Sequence, residues 1–138
     1  CRFGDPETQV VLPLLESDLL TVMQATTHGT LAETPVRFQN RCACCVVMAS
    51  KGYPGNYETG FDITIPPGIR NDVFIAGAKE EEGRLLTAGG RVLGVLAVED
   101  TLEKAIHAAY EKVKQVHFKN AYYRQDIGLH ALKAEKES

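Results

Sequence analysis

The sequence has no long apolar stretch and no cluster of basic residues, and each absence excludes a class of protein. Its longest apolar runs, residues 42–49 and 92–98, fall far short of the ~20 residues that a membrane-spanning helix needs. Its 15 Lys and Arg residues are outnumbered by 18 Asp and Glu, so little would be gained by displacing counterions from a polyphosphate. We therefore expect neither a membrane span nor a nucleic-acid interface in these 138 residues.

Cysteine is scarce, and its spacing suits neither a set of disulfides nor a zinc site. Three of the four cysteines fall in one apolar run, Cys42-Ala43-Cys44-Cys45. Adjacent residues of a strand point to opposite faces, and this run lacks the two-residue gap of common zinc sites. We interpret these cysteines as small buried thiols in a reducing cytosol. A thiol enzyme that pairs one of them with a histidine is an alternative, and it requires a reactive thiolate.

The beginning of the chain predicts helices. Apolar residues recur between residues 10 and 28, and Pro13 interrupts them. We expect a short helical turn, followed by a helix that has Ser17 as its N-cap and ends at Gly29. Residues 30–40 show no periodic pattern, and we expect a linker there.

The rest of the chain predicts an antiparallel sheet with one flanking helix. Apolar residues at steps of three and four predict a helix over 101–116, with Asp100 as its N-cap and Glu111 paired with Lys114. The residues from His130 onward offer little to pack, and we expect them to fray. Short apolar segments between polar turns favour antiparallel pairing. The predicted strands are residues 42–49, 61–65, 73–76, 84–87 and 91–99, with a charged turn at 79–83.

Three polar segments are not needed to build a core. Arg2–Glu7 combines a guanidinium, which suits a carboxylate or phosphate, with two carboxylates, which suit an amine; it is also a good helix start. Ser50–Gly60 contains three glycines, which allow close approach to a ligand or simply a surface turn. Thr87–Arg91 places two glycines beside a guanidinium, as in an anion site or an ordinary hairpin.

Five stretches, taken in order, resemble one enzyme family. They are Arg2–Gln9 (RFGDPETQ), 47–55 (VMASKGYPG), 73–77 (VFIAG), 87–93 (TAGGRVL) and 123–128 (YRQDIG). In sequence and spacing they resemble phosphoribosylamine–glycine ligase, also called glycinamide ribonucleotide synthetase, an ATP-grasp enzyme of purine biosynthesis. The resemblance extends to about residue 132. The chain has Ile75, Ala78 and Asn120 where the family usually has His, Thr and Gly.

The resemblance implies a domain organisation and a set of cofactors. The chain would be the C-terminal third of the ligase: residues 1–29 the end of the ATP-grasp domain, 30–40 a linker, 41–132 a small antiparallel α+β domain with its flanking amphipathic helix, and 133–138 a polar tail. ATP and Mg²⁺ or Mn²⁺ would be bound mainly by the rest of the ligase chain, with the metal ligands just upstream of Cys1. The enzyme would be cytoplasmic, and this fragment alone would be inactive.

The resemblance also implies a reaction and roles for individual residues. ATP phosphorylates the carboxylate of glycine, and the amine of 5-phosphoribosylamine attacks the glycyl phosphate to give glycinamide ribonucleotide, ADP and phosphate. Arg2 would be catalytic, because preorganised positive charge stabilises a carboxylate or acyl phosphate. Asp5 and Glu7 would hold glycine or the amine. The residues expected beside the ribose phosphate are Lys51, Gly52, Tyr53, Pro54, Gly89, Gly90 and Arg91.

A non-catalytic α+β module that binds a small ligand is the alternative to the ligase. The two hypotheses differ in one structural prediction. A binding module gives the three polar segments no reason to meet in one cleft, whereas a ligase does.

Overall fold

The centre of the fold is an antiparallel sheet with one long helix packed on it, which confirms the predicted α+β class. The computed structural model describes residues 4–137. The helices are α1 Thr8–Val11, α2 Leu19–His28, α3 Leu102–Val113 and α4 Leu129–Glu137. The strands are β1 Cys42–Ser50, β2 Val73–Ile75, β3 Ala78–Glu81, β4 Arg84–Thr87, β5 Arg91–Glu99 and β6 Ala121–Tyr122. Short 3-10 turns lie at Leu12–Leu14, Leu31–Glu33 and Pro67–Asp72.

The main sheet has the strand order β2-β5-β1-β6, and every neighbouring pair is antiparallel. Its longest pairing joins β1 to β5, from Cys42 opposite Glu99 to Ala49 opposite Arg91, with one irregularity after Met48. The β3–β4 hairpin forms a separate two-stranded sheet. The end of β1 and the beginning of β5 therefore lie at the same end of the main sheet.

The two faces of β1 have different coverings. Cys44, Val46 and Met48 belong to the core cluster under α3. Cys45 and Val47 line a hollow together with residues of the amino-terminal segment, which comprises residues 4–11. Because alternate side chains of a strand point to opposite faces, α3 and the amino-terminal segment cover opposite sides of the sheet. The buried residues of α3, Ala105, Ile106, Ala109 and Val113, have the spacing that the sequence predicts.

The predicted N-caps of two helices are wrong by one residue. Thr101, rather than Asp100, caps α3, and its hydroxyl accepts from the Lys104 backbone N–H at 3.3 Å. Asp18, rather than Ser17, caps α2, accepting from the Thr21 backbone N–H at 2.7 Å. In each helix the residue next to the helix is in the extended conformation that lets its side chain reach back.

Two further predictions are confirmed, the end of α2 at Gly29 and the surface ion pair of Glu111 with Lys114. Gly29 follows α2 with a φ of 74°, the left-handed conformation that ends many helices at glycine. The Lys114 ammonium lies 2.6 Å from the Glu111 carboxylate on the exposed face beyond α3. No helix within residues 4–137 has the length and apolar character that crossing a bilayer requires.

Three predictions about irregular segments are wrong. Residues 61–65 form no strand, because Asp62 and Thr64 bridge to different partners, Leu86 and His117. Residues 79–83 are not all turn: Lys79–Glu81 belong to β3, and only Glu82 and Gly83 turn the chain, both at positive φ. Residues 130–137 are not irregular, since they belong to α4, and Leu132 packs against the core.

The N-cap of α3 gives a direct test of this local structure. Thr101→Ala removes the hydroxyl that accepts from Lys104, and we expect it to lower the free energy of unfolding by ~1 kcal/mol. Asp100→Ala is the matched control and should cost less, because Asp100 makes only an exposed contact with Arg41 at 3.5 Å. Urea denaturation measures both values. A larger loss for Asp100→Ala would show that the cap is misassigned.

Candidate functional site

The end of β1 and the start of β5 bring two of the three predicted segments together. Ala49 pairs with Arg91 across the two strands. Ser50, which is fully buried, donates from its backbone N–H to the Gly90 carbonyl at 2.8 Å and from its hydroxyl to the Gly89 carbonyl at 3.0 Å. The loop after Ser50 and the glycine turn before Arg91 are therefore fastened to each other.

The ring of Tyr53 lies directly on Gly90. A Cβ at Gly90 would come within 2.0 Å of the ring's Cδ2 atom, so a larger residue fits only if the ring moves. Tyr57 meets Tyr53 edge-on, with the ring centroids 6.1 Å apart. Tyr53 is still 40% exposed. Its ring thus packs on the turn and still offers surface to a ligand.

Gly77, in the connection between β2 and β3, packs against the same glycine turn. A Cβ at Gly77 would lie 2.4 Å from the Arg91 carbonyl oxygen and 2.9 Å from the Gly89 Cα. Gly77 donates to the Arg91 carbonyl at 2.8 Å and accepts from the Ala88 N–H at 2.8 Å. Main chain therefore meets main chain at this point, and side chains would keep the two segments apart.

An ion pair joins the amino-terminal segment to this turn. Arg91 Nη2 lies 3.1 Å from Asp5 Oδ2, and Arg91 Nη1 donates to the Asp5 backbone carbonyl at 3.2 Å. Gln9 Nε2 donates to the other carboxylate oxygen, Oδ1, at 3.1 Å. Asp5 and Arg91 are 86 positions apart in the chain. The contact brings the third predicted segment to the same end of the sheet.

Lys51, Gly52 and Pro54 lie on an exposed loop that extends from this junction. The Lys51 backbone N–H donates to the Asn120 carbonyl at 2.9 Å. Gly52 has a φ of 105°, and a Cβ there would lie 2.1 Å from the Asn56 carbonyl oxygen. Backbone contacts thus fix the shape of the loop. The backbone conformation at Gly52 is by itself enough to require glycine at this position.

Glu7 does not share the environment of Asp5, although the sequence predicts that the two act together. It lines an apolar groove of about 300 Å³ whose other residues include Cys45 and Ile127. Asp5 instead lies against Arg91. The two carboxylates therefore face different surroundings.

Arg2, the predicted catalytic residue, lies outside the described residues, and its role stays a prediction. The predicted metal ligands upstream of Cys1 also fall outside this chain. Within residues 4–137, no group of three or more His, Cys, Asp or Glu side chains is arranged to hold a metal ion. The described part of the chain thus provides no geometry for a metal ion.

Sequence reasoning missed the residues that hold the segments together. Ser50 is predicted only as the start of a loop, yet it is buried and bonded to the glycine turn. Gln9 positions the Asp5 carboxylate. Asn120 has a φ of 64°, which explains why glycine is usual there, and its Nδ2 donates to the Glu58 carbonyl at 3.4 Å. The sequence signal that would have pointed to Ser50 is its position directly after the apolar run 42–49, as a continuation of that strand.

The last resembling stretch, residues 123–128, has a structural explanation. The Tyr110 hydroxyl donates to the Arg124 carbonyl at 2.7 Å and accepts from the Ile127 N–H at 3.1 Å. Arg124 pairs with Asp126 at 2.7 Å. Gly128 has a φ of 81° and leaves no room for a Cβ beside the side chain that packs on it. These residues anchor the chain to α3.

The three strand cysteines are free; Cys44 is buried, as predicted, whereas Cys42 and Cys45 are only partly buried. Burial raises the pKa of the Cys44 thiol. Burial, together with the charges of Cys44 and Asp5, raises the pKa of the Cys45 thiol to about 12. A thiol enzyme needs a thiolate at neutral pH. These environments favour the interpretation of the cysteines as core residues.

Comparison with known proteins identifies the family. Residues 43–130 match the family described as "Phosphoribosylglycinamide synthetase, C domain". The chain belongs to this family. The match begins in β1 and extends into α4, so it includes the loop after Ser50, the glycine turn and the hydrogen-bonded anchor on α3.

Relatives of this chain are named as a ligase or as multifunctional purine biosynthetic proteins. The chain is 47% identical over 135 residues to the phosphoribosylamine–glycine ligase of Fusobacterium nucleatum, covering 92% of this chain and 31% of that protein. It is 46% identical over 136 residues to the human trifunctional purine biosynthetic protein adenosine-3, covering 96% of this chain and 14% of that protein. The chain thus spans less than a third of either relative.

A solved structure agrees with the fold. The phosphoribosylamine–glycine ligase of Thermotoga maritima superposes with a TM-score of 0.81 at 38% identity, covering 91% of this chain and 31% of that one. Both the mixed helix-and-sheet class and the small antiparallel sheets are confirmed. The alternative of a non-catalytic binding module is not favoured, because the named relatives are purine biosynthetic enzymes.

The contact between Tyr53 and Gly90 can be tested by adding one methyl group. Gly90→Ala should lower the free energy of unfolding by ~1–3 kcal/mol, because the Cβ overlaps the ring. Gly68→Ala is the matched control, since a Cβ at Gly68 meets nothing within 4 Å. In a Tyr53→Ala background the Gly90→Ala cost should largely disappear. An equal cost in both backgrounds would contradict the contact.

The thiol environments predict slow alkylation of the native protein. A pKa of about 12 leaves the thiolate fraction of Cys45 at pH 8 roughly a thousand-fold below that of a thiol at its ordinary value of 9.0. The fraction rises only as the pH approaches the raised pKa. We expect iodoacetamide to leave Cys44 and Cys45 largely unmodified by site-resolved mass spectrometry, and to modify all three strand cysteines in guanidinium. Rapid native labelling at Cys44 or Cys45 would restore the thiol-enzyme hypothesis.

Proposed function

We propose that this chain is the C-terminal part of a phosphoribosylamine–glycine ligase, which uses ATP to join glycine to 5-phosphoribosylamine. The observation that carries the proposal is the junction of Asp5, Tyr53, Gly90 and Arg91 at one end of the sheet. A non-catalytic module gives no reason for such a junction between segments so far apart in sequence. The names of the relatives support the same activity.

The proposed roles follow the chemistry of each segment. Arg2 stabilises the charge of the glycine carboxylate or acyl phosphate, and Asp5 and Glu7 help to hold glycine or the amine. The loop residues Lys51, Gly52, Tyr53 and Pro54 and the turn residues Gly89 and Gly90 form the side that faces the ribose phosphate, and Arg91 lies beside this surface, paired with Asp5. Backbone N–H groups and a nearby cation suit a phosphate group, and an exposed aromatic ring suits the sugar.

ATP and Mg²⁺ or Mn²⁺ belong, in this proposal, to the rest of the ligase chain. The described residues contain no cluster of side chains that fits a metal ion. ATP would supply the phosphoryl group that activates glycine. We assign no step through either group to this part of the chain. We also propose a cytoplasmic enzyme, which the free strand cysteines support.

We further propose that residues 1–29 complete an upstream ATP-grasp domain, with 30–40 as a linker, 41–132 as the C-terminal domain and 133–138 as a polar tail. Within α2 only Ala25 is buried, whereas Leu20 is 63% and Met23 is 49% exposed. A ten-residue helix is marginal by itself, and a patch of exposed apolar side chains marks a surface that a partner covers. The relatives are roughly three or more times longer than this chain, which leaves ample chain to cover it.

The role of Arg2 can be tested in a ligase that carries this chain as its C-terminal part. We expect ADP to form only when both glycine and phosphoribosylamine are present. Arg2→Ala should lower kcat by roughly a hundred-fold, because it removes charge stabilisation in the transition state, while the melting temperature changes little. Unchanged turnover in this variant would remove Arg2 from the mechanism.

The apolar face of α2 gives a second test. Leu20→Ser with Met23→Ser should lower the free energy of unfolding of the longer ligase by about 2 kcal/mol or more, because the proposed domain buries both residues. In the 138-residue chain, the same two substitutions should leave the free energy of unfolding unchanged and increase solubility. Gln24→Ser, on the same helix and exposed, is the control. Equal stability of variant and parent in the ligase would show that this face is not covered.

A further inference from the structure

Asp5 and Arg91 use most of their hydrogen-bonding groups in contacts within the protein. One carboxylate oxygen of Asp5 faces Arg91 Nη2 at 3.1 Å, and the other accepts from Gln9 Nε2 at 3.1 Å. Arg91 Nη1 donates to the Asp5 main-chain carbonyl at 3.2 Å. Two of the terminal groups with which a guanidinium grips an anion are thus directed at Asp5. This arrangement fits a contact within the protein better than a free phosphate-binding arginine.

The hollow that the pair lines on its protein side is too small for a ligand. The hollow that Asp5 and Arg91 line with Pro6, Gln9 and Phe74 has a volume of about 10 Å³. That is room for about one water molecule, whereas small-molecule sites usually measure 300 Å³ or more. A substrate that reaches this end of the sheet would meet Tyr53 or the exposed loop before the interior of the ion pair.

The backbone of Arg91 is held by neighbouring segments on both sides. Its backbone pairs with Ala49 of β1, and its carbonyl accepts from the Gly77 N–H at 2.8 Å. Asp5 belongs to a short segment whose own bonds are local: the Thr8 N–H donates to the Gly4 carbonyl at 3.2 Å. Of these two partners, Arg91 is the fixed one. The pair therefore links the acidic end of the amino-terminal segment to the fixed turn, in addition to the packing of α1 on β1 and β5.

We infer that Arg91 is a positioning residue, which acts through Asp5 to orient the acidic amino-terminal segment over the sheet. The inference rests on the proposed function, because the segment so oriented contains Glu7 and continues from Arg2. It changes the predicted role of Arg91, from a contact with the ribose phosphate to a contact that places the residues serving the glycine side. Both partners are about half exposed, so the pair contributes direction rather than much stability.

The kinetic test compares Asp5→Asn, Arg91→Met and the double variant in a ligase that carries this chain. Arg91→Met keeps the length of the side chain and removes its charge and its fork. Asp62→Asn and Arg84→Met are the matched controls, because Arg84 and Asp62 form another exposed arginine–aspartate pair outside the junction. The controls should change kcat and KM less than about two-fold.

We expect the two single variants to lose kcat to a similar extent, roughly ten- to a hundred-fold, because the segment is misplaced by about an ångström. The KM for phosphoribosylamine should stay within about two-fold of the parent. The double variant should be no worse than the poorer single variant, because both changes break one contact.

Two results would overturn the inference. A rise in the KM for phosphoribosylamine with Arg91→Met but not with Asp5→Asn would make Arg91 a phosphate ligand. Losses that multiply in the double variant would show that the two residues act independently.

A measurement without activity separates this inference from the proposed function. Amide hydrogen exchange of Thr8–Val11 in the 138-residue chain should accelerate at least several-fold in Asp5→Asn and in Arg91→Met, and stay unchanged in Asp62→Asn. Unchanged exchange in the first two variants contradicts the positioning role even if the ligase is active. If the parent lacks ligase activity, accelerated exchange still supports the link between Arg91 and the segment, and only the proposed function fails.

Discussion

The antiparallel pairing of β1 with β5 is the constraint on which the rest of the structure depends. Because Ala49 lies opposite Arg91, the loop that leaves β1 and the turn that enters β5 emerge at one end of the sheet. Ser50 then ties the two together by bonds to consecutive carbonyls. A shift of this pairing by one residue would exchange the two faces of β1 and move the amino-terminal segment away from the turn.

Steric fit and charge have different tasks at this junction. The glycines at 77 and 90 allow main chain and the Tyr53 ring to approach to distances that a Cβ would forbid, so they determine the shape of the turn. The Asp5–Arg91 pair is half exposed and contributes little free energy, but it connects two segments that the sheet alone would not hold together. The shape of the site is therefore built into the C-terminal domain, whereas the acidic segment is joined to the glycine turn by this ion pair.

Much of the fold could be predicted from the sequence, because apolar spacing records burial directly. The spacing in 101–116 predicts α3, and the long apolar runs predict β1 and β5. Caps and turns were less accessible: Asp100 and Thr101 both suit an N-cap, and only the extended conformation of Thr101 decides between them. The site segments were visible as glycine-rich and charged stretches. That Asp5 and Arg91 meet was not, since their contact spans 86 positions and follows from the sheet register rather than from local sequence.

The most direct test of the account is hydrogen exchange of a ligase that carries this chain, with and without glycinamide ribonucleotide. The account predicts slower exchange at the amides of residues 51–53 and 88–91 when the ribonucleotide is bound, because these residues surround the proposed phosphate side. The β3–β4 hairpin at 78–87, which continues directly into the glycine turn, should be unchanged except at its last residue. Protection confined to the hairpin or to α3, with none at 51–53 and 88–91, would contradict the account.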